Sequence, residues 1–134
     1  MVKVKTSDLV GTQLDVAVAL ALGGVITRPQ DAQVYLNEMH QLCGESAKRH
    51  SRYVFSPSTD WQQCGELMES LPVSCYQYKD PSTGKFFHWV GVNESGHPGK
   101  RRGLIADNPR VAICRAAVFS KLGDEVDLPD ELKN

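Results

Sequence analysis

The chain has 134 residues, 41% of them apolar and 23% charged, with a formal net charge of -1. That length suits one ordinary domain and is too short for two, and the composition is that of a folded protein rather than a disordered one. No segment reaches the roughly 18 consecutive apolar residues of a membrane span, and the opening Met1-Val-Lys-Val-Lys5 lacks the apolar run of a signal peptide, so a cytoplasmic protein is expected.

Val2-Lys-Val-Lys5 alternates apolar and polar side chains as a half-buried strand does, and Thr6-Ser7-Asp8 offers capping oxygens for a helical turn. Leu14, Ala17, Val18 and Ala21 recur at helical spacing, which predicts a helix from Gln13 to Leu22 capped by Thr12 and closed by Gly23-Gly24. Asp15 suits the positive end of that helix. Val25-Ile26 reads as a brief strand. Beyond Pro29, Asp31 favours the start of a second helix with Val34, Tyr35, Met39, Leu42 and Cys43 as its apolar stripe and Gly44 near its end.

Arg52-Tyr-Val-Phe55 is the next strand candidate, broken by Ser56-Pro57. Thr59-Asp-Trp-Gln62 fits a capping box with Thr59 as the cap, and Trp61, Leu67 and Met68 are expected to pack inward on a helix lasting to about Ser70. Gly65 weakens that helix, because glycine in a helix interior costs about 1 kcal/mol against alanine. Val73 to Tyr78 and Phe86 to Val92 are β-prone, and Asp80-Pro-Ser-Thr-Gly84 supplies the turn residues of a hairpin between them. Asn93 to Gly103 is a basic, glycine-containing loop, and the apolar run Leu104-Ile-Ala106 leads from it to the last helix.

That helix has Asp107 or Asn108 as its cap and Pro109 in the first position, where a missing N–H carries no penalty. Val111, Cys114, Val118 and Leu122, with Ala117, line one face; Lys121 suits the negative end, and Gly123 supplies the stop. The elements combine into a single α+β domain: three or four helices packed on a small, mainly antiparallel sheet built around the Val73 to Val92 hairpin.

Residues 124–134 hold five acids and one lysine, which leaves the remainder of the chain at a formal +3. Val126, Leu128 and Leu132 interleave with the acids, so the tail either docks on its own domain or presents Asp124, Glu125 and Asp127 to a partner. Asp60 and Trp61 join a carboxylate to a large aromatic surface; they form either a ligand pocket or a helix cap beside a core anchor. Lys48, Arg49 and Arg52 with Tyr53, and Lys100, Arg101 and Arg102, are candidate nucleic-acid contacts or else solvated loops.

The cysteines Cys43, Cys64, Cys75 and Cys114 are widely spaced and read as free thiols. His40-x-x-Cys43 has metal-ligand spacing, and Cys64, Cys75 and His88 offer further donors, but a second close pair is lacking and no metal site is predicted. A cysteine nucleophile would need His88 as its base. No phosphate loop, nucleophile elbow or His-Glu-x-x-His motif is present, so no catalytic residues are assigned and no cofactor is expected.

Lys5-Thr-Ser-Asp-Leu-Val-Gly11 with Leu14-Asp15, Phe55-Ser-Pro-Ser-Thr-Asp-Trp61, and most of Val111 to Leu132 resemble the NinX-like proteins of lambdoid bacteriophages and prophages, whose members have unknown function. The chain departs from the family pattern at Val16, where a tryptophan often stands, and at Cys64, where glycine is common. The resemblance implies an accessory phage or prophage protein in the bacterial host cell, with no catalytic residues to carry over. The leading expectation is a protein-interaction module whose partner is a host or phage protein. The alternatives are weak nucleic-acid binding and a small-molecule binder or enzyme.

Overall fold

The computed structural model describes residues 2–23, 25–28, 33–35, 56–93 and 102–130. Its strands are β1 (Val2–Lys5), β2 (Val25–Arg28), β3 (Gln33–Tyr35), β4 (Val73–Lys79), β5 (Phe86–Asn93), β6 (Arg102–Ala106) and β7 (Glu125–Leu128). The α-helices are α1 (Gly11–Ala21), α2 (Trp61–Ser70) and α3 (Pro109–Leu122), and Thr6–Asp8 forms a 3-10 turn. The architecture is α+β, and the described strands form three antiparallel sheets: β1-β7, β2-β3 and β4-β5-β6.

Helix α3 is the centre of the molecule. Ala112, Ile113, Cys114, Ala116, Ala117, Val118, Phe119 and Ser120 are all buried, far more of the helix than the single predicted face, whereas Leu122 is exposed. The reason is that α3 lies between the β4-β6 sheet and helices α1 and α2. Its alanines allow those neighbours to approach closely, and each fully buried Val or Leu around them contributes about 1.5–3 kcal/mol. On the sheet side, a Cβ at Gly91 would overlap the Ala112 carbonyl, so only glycine lets β5 lie this close.

The ends of α3 follow the sequence reading. Asn108 Oδ1 accepts the Val111 N–H at 2.9 Å, Pro109 opens the first turn, and Gly123 ends the helix at φ 85°. The α3 end is then tied to the chain start: Thr6 Oγ1 donates to Gly123 O at 2.6 Å and Thr6 N donates to Asp124 O at 2.7 Å. Midway along α3, Arg115 joins the chain start to β6, with Nε donating to Leu9 O at 2.8 Å and Nη1 to Ile105 O at 2.6 Å.

Several predicted elements differ. Helix α1 starts at Gly11 behind Val10, with no side-chain cap from Thr12, and Val16 and Ala19 join its buried residues. Gln33–Tyr35, assigned to the second helix by its apolar stripe, pairs instead with β2; the rest of that predicted helix and the Arg52 to Phe55 strand lie outside the described residues. Val34 and Tyr35 are β-branched and aromatic, and antiparallel pairing with Val25 and Ile26 outweighs helical spacing. Leu104–Ala106, read as a connection, belongs to the third strand of the sheet, paired to β5 from Asn93↔Arg102 to Trp89↔Ala106.

The predicted hairpin is present. Asp80 accepts from Ser82 N, Ser82 Oγ and Thr83 Oγ1, holding its carboxyl below the usual range, and its backbone exchanges bonds with Lys85 O and Gly84 N. The acidic tail folds as far as it is described. β7 pairs with β1, burying Val126 and Leu128, while Glu125 and Asp127 stand in register opposite Lys5 and Lys3. Opposite charges across an antiparallel pair favour that register.

Candidate functional site

Helix α2 starts from a turn at Ser56 to Asp60 that local hydrogen bonds shape. Asp60, not Thr59, is the cap: Asp60 Oδ1 accepts the Gln63 N–H at 3.1 Å. Gln63 Oε1 reaches back to the Ser56 N–H at 2.7 Å, and Thr59 Oγ1 donates to Ser56 O at 3.3 Å. The cap thus lies one residue further on than predicted, and the reciprocal half of a capping box is missing: Gln63 reaches past the cap to Ser56, while the Asp60 N–H donates to Ser56 O.

This turn is anchored to α1. Ser58 N donates to Asp15 Oδ1 at 2.9 Å across 43 residues of sequence. Burial raises the Asp15 carboxyl from 3.8 to about 6, against the opposing pull of the Ser58 N–H and hydroxyl. The buried Ser58 hydroxyl lies near enough to favour the charged form, yet its oxygen makes no hydrogen bond of good geometry among the described residues.

Trp61 does not anchor the core. It is 53% exposed, with the Arg110 guanidinium 4.9 Å from its ring centroid. Met68, also expected to point inward, is exposed, while Leu67 is buried as predicted. Trp61, Gly65 and Met68 fall at i, i+4 and i+7, so they form one stripe along the margin of α2. A Cβ at Gly65 would meet no atom of the described residues within 4 Å. Arg110 Nε, at the end of the stripe, is buried without a hydrogen-bond partner among the described residues.

Behind the stripe, Cys64 and Cys114 are fully buried in the core between α2 and α3. The Cys114 thiol is hydrogen-bonded to Cys64, and Cys64 Sγ is 3.9 Å from Arg110 O. Cys64 is the more acidic partner, because the Cys114 hydrogen bond and the Arg110 charge favour its thiolate against burial; Cys114 is pushed up. Burial pushes Cys75 up to about 11. Such thiols pack as small apolar groups. His88 supplies them no base, since it stacks on Tyr78 on the sheet face opposite the row of Cys75 and Gly91. No group of three or more metal-binding side chains occurs among the described residues.

The predicted site residues therefore separate. Asp60 and Trp61 lie at the start of α2, whereas Asp124, Glu125 and Asp127 lie on or beside β7, which packs on α1 and α3. Arg102 begins β6 opposite Asn93. Lys48, Arg49, Arg52, Lys100 and Arg101, together with His40, Cys43 and Tyr53, lie outside the described residues. Asp15, Gly65 and Arg110 were not singled out as site residues. Gly65 carried a signal, as a helix breaker next to an apolar residue at each side of its own face.

Residues 5–121 match the family model described as "Bacteriophage P22, NinX". The chain belongs to that family. The match runs from the last residue of β1 to the last turn of α3, so the Asp15–Ser58 anchor and the Trp61–Arg110 stack both lie inside the NinX region. It identifies a phage accessory protein. No curated protein matches this NinX-family chain. Among its described residues, no helix is long and apolar enough to cross a membrane.

Proposed function

We propose that this phage accessory protein is a protein-interaction module acting in the cytoplasm of the bacterial host cell, and that it binds its partner along the Trp61–Gly65–Met68 stripe of α2. The carrying observation is the open space at Gly65 between two exposed large side chains. A helix-interior glycine costs about 1 kcal/mol against alanine, and neither a positive φ nor a packed neighbour accounts for it here. Close approach by an outside group would.

The partner that fits is a host or phage protein segment with an apolar side chain for the notch and a carboxylate for Arg110. Tryptophan and arginine are the side chains that most often dominate binding energy at protein interfaces. Trp61 is held by the capped start of α2 and by Arg110, so little entropy is lost when a partner orders it.

The test is affinity capture from phage-infected host lysate, with nuclease present, comparing the natural chain with Trp61→Ala and Gly65→Leu. A protein retained by the natural chain and lost with both variants, at unchanged thermal midpoints, is the expected result. Equal retention by all three sinks the reading.

A further inference from the structure

The outer face of the β4-β5-β6 sheet has a different character from the α2 stripe. Gly91 faces α3, so the register places Cys75 and Leu104 on the same inner face and Tyr76, Val90 and Ile105 on the other. The described helices that pack on this sheet lie on its inner side, where α3 runs against all three strands. Tyr76 is 52% and Ile105 56% exposed, whereas Val90 and Val92 of the central strand are buried, so the exposed part of this face lies on β4 and β6. Tyr78 is also exposed and stacks on His88, with ring centroids 5.0 Å apart and planes 8° from parallel.

Charge favours an anionic partner. No residue of β4, β5 or β6 is Asp or Glu, while Lys79 and Arg102 stand at opposite ends of the sheet. Lys85 adds a cation at the hairpin end, and Lys100 and Arg101 precede Arg102 in the sequence. Asp80, the one acid in the hairpin, is held ionised by Ser82 and Thr83 and offsets one of the two lysines, so residues 79–85 carry a formal +1. Flat aromatic rings exposed toward the hairpin end of the sheet, beside Lys79 and Lys85, match alternating bases and phosphates better than they match a folded protein surface.

We infer that the Tyr76–Tyr78–His88 face binds single-stranded nucleic acid by stacking bases on its rings, with Lys79 and Lys85 contacting phosphates at the hairpin end. This surface and its ligand are separate from the α2 stripe, so either can fail without the other. Stacking does not read sequence, so the binding discriminates weakly among bases.

The experiment is fluorescence anisotropy with labelled oligothymidylate and oligouridylate of about twenty nucleotides, at about 50 and 200 mM salt. Tyr76→Ala and Tyr78→Ala are each expected to weaken binding about fivefold or more, and Tyr→Phe at the same positions to retain it, since the ring and not the hydroxyl stacks. Lys79→Gln with Lys85→Gln is expected to flatten the salt dependence by roughly 1.4 in log-log slope. Thermal midpoints establish that each variant is folded. No binding at low salt, or binding indifferent to both alanine changes in folded protein, overturns the inference. So does a face that binds no oligonucleotide but whose alanine variants abolish capture of a protein.

Discussion

Gly91 in β5 lies against the Ala112 carbonyl of α3, with no room between them for a single carbon. At that point the central strand and the central helix meet backbone to backbone. Gly91→Ala is expected to destabilise the protein by about 3 kcal/mol or more, since the helix must move off the sheet that buries it. Urea unfolding measures this; a loss under about 1 kcal/mol would mean that α3 shifts freely on the sheet.

Capping distinguishes neighbouring residues at the start of α2. Asp60→Ala is expected to cost about 1 kcal/mol, and Thr59→Ala less than about 0.5, because only Asp60 accepts the Gln63 N–H. Chemical denaturation of the two variants side by side decides it, and the reverse order would return the cap to Thr59.

Gly65→Ala adds a methyl group into open space on a helix, so a gain of about 0.5–1 kcal/mol is expected, visible as a rise of a few degrees in thermal midpoint. Paired with weaker partner capture, that gain would show stability being given up for recognition. A fall in midpoint would mean that the position is not open in solution.

Asp15 gives the protein a pH dependence of defined sign. Its folded value of about 6 lies above the ordinary 3.8, so the folded chain holds the proton more tightly than the unfolded one. Its contribution is greatest below about pH 3.8 and falls as pH rises to about 6, beyond which it is flat. Asp15→Asn keeps an oxygen for the Ser58 N–H and should lack that slope, differing from the natural chain by about 1–2 kcal/mol at pH 7 after allowance for partial exposure. Parallel stability curves for the two proteins between pH 4 and 6 would show that the carboxyl is not held up.

The sequence spelled out what is local. Asn108, Pro109 and Gly123 mark the ends of α3 because caps act within four residues, and Asp80 to Gly84 marks the hairpin for the same reason. Thr59 and Asp60 both carry a capping oxygen, and no local feature tells which backbone turns first. Trp61 and Met68 read as core because apolar side chains usually are, whereas their exposure depends on where α3 lies against α2. The Asp15–Ser58 bond and the Arg115 bonds to Leu9 and Ile105 join elements far apart in the chain, and no spacing rule reaches that distance. The β7 strand was half legible: its alternating Val126 and Leu128 marked a docking segment, but β1 as its partner was not visible.

The β1-β7 pair has a mechanical consequence. Val2↔Leu128 lies at the outer end of the ladder and Lys5↔Glu125 at the inner end, so tension applied to both chain ends opens the pair one rung at a time from Val2 inward. Such unzipping loads each hydrogen bond in turn rather than all together. The strap therefore parts at lower force than the same bonds loaded together, and an unfolding machine that pulls on Val2 or Leu128 meets this seam before the α3-centred core.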